Sequence, residues 1–162
     1  PAPEGATGRL KLFPTGVAEE FDALAADQGD PDFDFVLIGF RSKYVLNSFG
    51  RNLPAIREKA GDTNPAHIHP EDMEKLGIED DDEIVLQSAY GSIEAVVTAN
   101  SKMKPGVVAM HHCWGVAPGQ QAPVREVGSN TNLLVSDSEN LQPFTGMART
   151  SGIPVNITQR TV

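Results

Sequence analysis

A mainly β fold is predicted by three features of this 162-residue chain. Its 15 Gly and 12 Pro punctuate the sequence throughout. No apolar run exceeds four or five residues. Several of these runs alternate in polarity or are rich in β-branched residues, so short strands joined by many turns are expected and no long helix. A hydrophobic content of 40 % suits one domain with its own core.

In chain order, residues 1–16 read as the tail of a connection, rich in Pro and Gly. From Val17 to Ala26, apolar Val17, Phe21, Leu24 and Ala25 fall near helical spacing. Glu19, Glu20 and Asp22 occupy the first turns, where the helix dipole favours them. Phe33 to Phe40 is read as a buried strand, continuous and apolar from Phe35 to Ile38. The loop from Arg41 to Arg51 carries many hydrogen-bond donors, as binding loops at strand ends do. Ala66 to Ile68 is a short strand, followed by a helix opened by Pro70 and closed by Gly77. Glu79 to Asp82 forms a tight acidic turn. Ile84 to Ala89 and Ile93 to Ala99 form a hairpin around Tyr90, Gly91 and Ser92. Lys104, Pro105 and Gly106 turn the chain into a strand from Val107 to Met110. Residues 115–130 are a long loop of a length that suits a cover over a ligand or partner. Leu133 to Val135 and Ile153 to Ile157 are the last strand candidates.

A net charge of −9 argues against nucleic acid and anionic membrane as partners, since both require a basic face. The charge is uneven. Residues 18–34 hold seven acids and no base, and residues 71–83 hold eight acids against Lys75. Residues 41–59 hold Arg41, Lys43, Arg51, Arg57 and Lys59 against Glu58 alone. An anionic ligand finds its counter-charge in that basic segment. The single cysteine, Cys113, excludes an internal disulfide, and the N-terminal residues lack the pattern of a signal peptide. A cytoplasmic location is the expectation.

Three constellations carry possible chemistry. His67 and His69, two apart in a strand, share a face on which a metal ion could be chelated, although the remainder of a cupin pattern is missing. Cys113 lies beside His111 and His112. A nucleophilic thiol needs a lowered pKa and a held base, and a buried inert thiol is the simpler reading. The loop from Gly39 to Asn52 supplies Arg41, Ser42, Asn47, Ser48, Arg51 and Asn52, whose guanidiniums and amides suit pyrophosphate and heteroaromatic edges. Neither a Walker loop nor a Gly-x-Gly-x-x-Gly turn is present.

Five separated elements then occur in a telling order. They are Ile38 to Arg41, the run NPAHIHPEDMEKLGI from Asn64 to Ile78, the hairpin around Tyr90 to Ser92, the run KPGVVAMHHCWG from Lys104 to Gly115, and Thr131 to Leu134. Together they resemble the C-terminal cofactor-binding domain of molybdopterin oxidoreductases related to dimethyl sulfoxide reductase. The resemblance spans about Phe35 to Ile157. It implies a six-stranded double-psi β-barrel with a few short helices, with residues 1–32 a linker and short helix and residues 33–162 the dinucleotide-binding barrel.

The resemblance also implies a ligand, bis-molybdopterin guanine dinucleotide with molybdenum or tungsten. Gly39 and Arg41 stand at the family's Gly-Arg strand end, with Ser42, Asn47, Ser48 and Asn52 as further donors toward pterin and phosphates. His112, Trp114 and Gly115 match the strand end that lines the cofactor channel, from which His111 and Cys113 depart. Asn132 matches a pterin contact, and Gly152, before the last strand, offers backbone. His69, Pro70 and Asp72 match a helix start of structural purpose. The metal ligand and any iron–sulfur cysteines lie in other domains. The chain is therefore expected to close over the cofactor without turnover of its own, within an enzyme of formate dehydrogenase-like or oxygen-atom-transfer chemistry. The expected partners are the remainder of the catalytic subunit and an electron-transfer subunit. A stand-alone barrel subunit or interaction module, and a small metal-binding barrel using His67 and His69, are the alternatives.

Overall fold

A computed structural model describes residues 4, 5, 8, 13 and 16–160. The chain divides into two compact units, Pro1–Asp30 and Pro31–Val162. The connection expected over residues 1–16 falls mostly outside the described residues. In the first unit, helix α1 (Val17–Ala26) has the expected bounds and an acidic first turn, and it buries none of its residues.

The second unit is a closed barrel of six strands: β1 (Phe35–Phe40), β2 (Ala66–Ile68), β3 (Glu83–Gln87), β4 (Ser92–Ala99), β5 (Val107–His111) and β6 (Ile153–Gln159). Their order around the barrel is β1-β5-β2-β4-β3-β6. The β1/β5 and β2/β4 pairs are parallel and the others antiparallel. This is the six-stranded, mainly β architecture that the resemblance implies. The interior is filled by Leu37, Ile68, Ile84, Leu86, Val97, Val108, Met110 and Val155, in the alternation that a barrel demands of each strand.

Strand β1 departs from expectation. Its apolar run is buried on one face only: Leu37 is 1 % exposed, whereas Val36 and Ile38 on the outer face are 39 % and 36 % exposed. A continuous apolar run satisfies a two-sided burial pattern, but here no layer of the described chain covers the outside.

Local chemistry sets the connections. Helix α3 (Pro70–Leu76) starts with Pro70 and with the His69 side chain accepting from the Glu71 amide at 3.2 Å, and it ends at left-handed Gly77. Asp72, 3 % exposed, accepts from the Gly106 amide at 2.7 Å and so ties the helix to the turn before β5. In the β3–β4 hairpin the Ser88 hydroxyl accepts from the Tyr90 and Gly91 amides and donates to the Leu134 carbonyl. The acidic turn is partly neutralised by Arg125, which meets Asp81 and Glu83.

Three further elements correct the sequence reading. Helix α2 (Pro54–Ala60) was not expected. The long loop contains the one-turn helix α4 (Val124–Val127). Leu133 to Val135 is no strand: Thr131–Leu134 is a 3-10 turn, with the Asn130 side chain capping the Asn132 amide. Leu134 is fully buried while Leu133 is 37 % exposed, so one side chain rather than a ladder fixes the segment. Among the described residues no helix is long and apolar enough to cross a membrane.

Candidate functional site

Parallel pairing brings the carboxyl ends of β1 and β5 to one end of the barrel, where Phe40 and His111 are the last registered pair. The ladder continues one step, since the His112 amide donates to the Phe40 carbonyl at 3.3 Å. The His112 ring reaches the same oxygen through Nδ1 at 3.1 Å, a bond made by the Nδ1–H tautomer. Strand β6 runs antiparallel to β1 and so begins at this end. The Gly152 amide donates to the Leu37 carbonyl at 3.0 Å, and the Gly39 amide donates to Ser151 Oγ at 3.3 Å. A Cβ on Gly39 would stand 3.4 Å from the Thr150 carbonyl oxygen, so the two segments touch through backbone.

The loop after β1 presents its cations with little compensation. Arg41 is exposed and donates to Asn47 Oδ1 at 3.2 Å. Arg51 points its guanidinium at main-chain oxygens, donating to Cys113 at 3.1 Å and to Gly115 at 3.2 and 3.3 Å, with the Trp114 ring centroid 5.7 Å away. Among the described residues neither arginine has a carboxylate within ion-pairing distance, in contrast to Arg57, which pairs with Asp62.

The segment after β5 is locked from behind. Cys113 and Gly115 take positive φ values of 71° and 78°. Gly115 lies so close to the 129–130 backbone that an added Cβ would be 2.3 Å from the Asn130 nitrogen. Asn130 donates to the Val116 carbonyl at 3.1 Å and caps Asn132, so the 130–132 turn runs alongside residues 115–116.

Of the residues expected to hold a ligand, Gly39, Gly152, His112, Arg41 and Asn47 are gathered at this barrel end by the contacts above. Ser42 accepts from the Tyr44 amide at 3.3 Å. Ser48 and Asn52 are exposed in the same loop, and Asn132 is exposed on its turn. Trp114 is at the strand end, but its side chain is buried, 4 % exposed. Ser151 and Asn130 do not stand out in the sequence, and Arg51, expected there as a donor toward pyrophosphate, is instead spent on the main-chain oxygens of Cys113 and Gly115. Nor does Asn64 stand out, which is fully buried. Polar residues on loops are common, and only their long-range partners distinguish these.

The His67/His69 metal pair does not form, because the His69 ring is occupied as the cap of α3. Among the described residues no cluster of three or more His, Cys, Asp or Glu could hold a metal ion. His67 instead packs with Phe40 and His111 on the outer face, ring centroids 5.5 Å and 6.3 Å away. Burial holds the Cys113 thiol above its ordinary range, with Arg41 and Arg51 pulling the other way, so the thiol is protonated at neutral pH and is no ready nucleophile.

Burial lowers the pKa of His67, and burial together with the charge of His67 lowers that of His111, both from 6.5. The unfolded chain therefore takes up protons near pH 6.5 while the folded chain does so only at lower pH. The expected result is a melting temperature that falls as pH drops below 6.5. Replacing both histidines by glutamine should flatten that fall, and thermal melts across the range check it.

The model of the family described as "Molydopterin dinucleotide binding domain" matches residues 35–154 of the chain. Among solved structures, acetylene hydratase from Pelobacter acetylenicus is similar, with a TM-score of 0.65 and 18 % identity over 80 % of this chain. At that identity the likeness carries the fold. The chain spans 19 % of the length of that structure.

Proposed function

The chain belongs to the molybdopterin dinucleotide-binding domain family, and on that footing we propose that it is the cofactor-closing domain of a larger molybdopterin oxidoreductase. The observation that carries the reading is Arg41: in a chain of net charge −9, an exposed guanidinium without a carboxylate partner among the described residues stands at the junction of β1, β5 and β6. An anionic dinucleotide fits this donor set. Arg41, Asn47, Ser42, Ser48 and Asn52 would hold phosphates and ring edges from the β1 loop. His112, Asn132 and the backbone of Gly39, Trp114 and Gly152 would complete the cradle.

When bound, bis-molybdopterin guanine dinucleotide supplies molybdenum or tungsten for oxygen-atom transfer or for hydride and electron transfer of the formate dehydrogenase type. This chain's own residues bind and orient it, and the metal ligand comes from the rest of a cytoplasmic catalytic subunit, served by an electron-transfer partner. Exposed Tyr44, Leu46, Phe49 and Leu53, the last three 68 %, 80 % and 57 % exposed, suit a loop that further protein covers.

The test is cofactor analysis of the polypeptide encoded by the full reading frame that contains this chain. Acid hydrolysis should release GMP together with an oxidised pterin and molybdenum or tungsten in fixed proportion. A well-folded product without GMP and pterin would overturn the reading.

A further inference from the structure

Asn64 precedes β2 and is 0 % exposed. A primary amide carries two N–H donors and one acceptor oxygen, and here all are used across long sequence separations. Asn64 Nδ2 donates to the His111 carbonyl at 2.6 Å and to the Ser129 carbonyl at 3.0 Å, and Oδ1 accepts from the Ser129 amide at 2.7 Å. The space around it is shaped to the amide. Gly128 takes φ +70°, and a Cβ there would be 2.4 Å from Asn64 Oδ1 and 3.1 Å from Trp114 Cβ.

We propose that Asn64 is a positioning residue, whose one amide fixes the end of β5 to the 128–130 turn and so sets the spacing between His112 and Asn132. This rests on the reading that those two residues contact the dinucleotide. No other side chain of this size meets the same demands. Aspartate keeps the acceptor but faces two carbonyl oxygens without a proton to give, leucine leaves three buried polar groups unpaired, and glutamine is a methylene too long for a filled site. Asn64 touches no ligand in this account; it acts through the backbone of His111 and Ser129.

Trp114 is the sole tryptophan, and it lies in the segment that Asn64 holds, so its fluorescence reports the position of that segment directly. In the unloaded 162-residue chain, Asn64→Ala and the isosteric Asn64→Asp should shift Trp114 emission to longer wavelength and open it to acrylamide quenching, with the far-ultraviolet spectrum of the barrel retained. Leu86→Ala, a fully buried core truncation on β3, should lower the melting temperature without moving Trp114 emission. In the full-length enzyme the same Asn64 variants should lower cofactor content by about tenfold, the scale of losing a supporting contact behind a ligand-binding group. Unchanged Trp114 emission in both variants overturns the lock, and moved emission with full cofactor content overturns its role in binding. Absence of cofactor from the unsubstituted full-length protein is a separate failure, that of the functional reading itself.

Discussion

Gly115→Ala is expected to cost about 2–5 kcal/mol of stability, the sum of about 1–2 for a left-handed backbone and about 1–3 for forced overlap in a packed site. The first contribution follows from φ +78°. The second follows from where the new methyl would lie, 2.3 Å from the Asn130 nitrogen and 2.7 Å from the Ser129 carbonyl carbon. Both neighbours are backbone, and the Asn64 bonds to Ser129 keep that backbone from retreating. Gly119→Ala is the control, because it shares a positive φ of +80° with nothing within 4 Å. It should cost only the conformational part, about 1–2 kcal/mol. Urea unfolding of the three proteins measures the difference. Equal losses at the two positions would mean that the 115/130 contact is looser than described.

The second large effect concerns β1. Leu37→Ala should cost about 2–5 kcal/mol, since a fully buried leucine gives up its transfer energy and leaves a cavity. Leu37 is 1 % exposed, between Val108 of β5 and Ile153 of β6 in the sheet register. Its neighbour Val36 is 39 % exposed, and Val36→Ala should fall within about 0.5 kcal/mol of the parent. A strand buried on both faces would lose stability at both positions, so this pair of unfolding curves separates the one-sided strand from the two-sided one expected from its apolar run.

That contrast shows where sequence legibility ends. Elements with chemical punctuation were readable: α3 has Pro70 at its start, acids in its first turn and Gly77 at its end, and the β3–β4 hairpin alternates around Gly91. The resemblance carried the strand count and the barrel. Helix α2 was missed because residues 54–60 offer only Ala55, Ile56 and Ala60 as apolar positions, although Pro54 and Gly61 mark its ends. Leu133 to Val135 misled because three apolar residues fit a strand as well as a turn that buries one side chain.

At the candidate site, motif positions such as Gly39, Arg41 and Asn132 stood out in the sequence; the structure sets Gly39 beside residues 150–151 and Arg41 beside Asn47, and puts Asn132 on the turn that runs alongside residues 115–116. Asn64 did not stand out as a site-forming residue, and Arg51 stood out as a ligand donor and not as a brace of the 113–115 backbone. Their partners lie 47 to 65 residues away and are main-chain atoms, which leave no pattern in side-chain identity. The same holds for Ser151, whose hydroxyl meets the Gly39 amide across the barrel end.

The central claim is that the end of the barrel where β1 and β5 finish holds the dinucleotide. Its most direct test compares the cofactor content of the full-length protein carrying Arg41→Ala with that carrying Arg125→Ala. Arg41 stands at the claimed site without an acidic partner among the described residues, whereas Arg125 is engaged by Asp81 and Glu83 beside β3. Loss of GMP and pterin from the Arg41 variant, with the Arg125 variant fully loaded, is the result this account predicts. Full loading of the Arg41 variant, with loss from the Arg125 variant, would contradict it and move the site to the other side of the barrel.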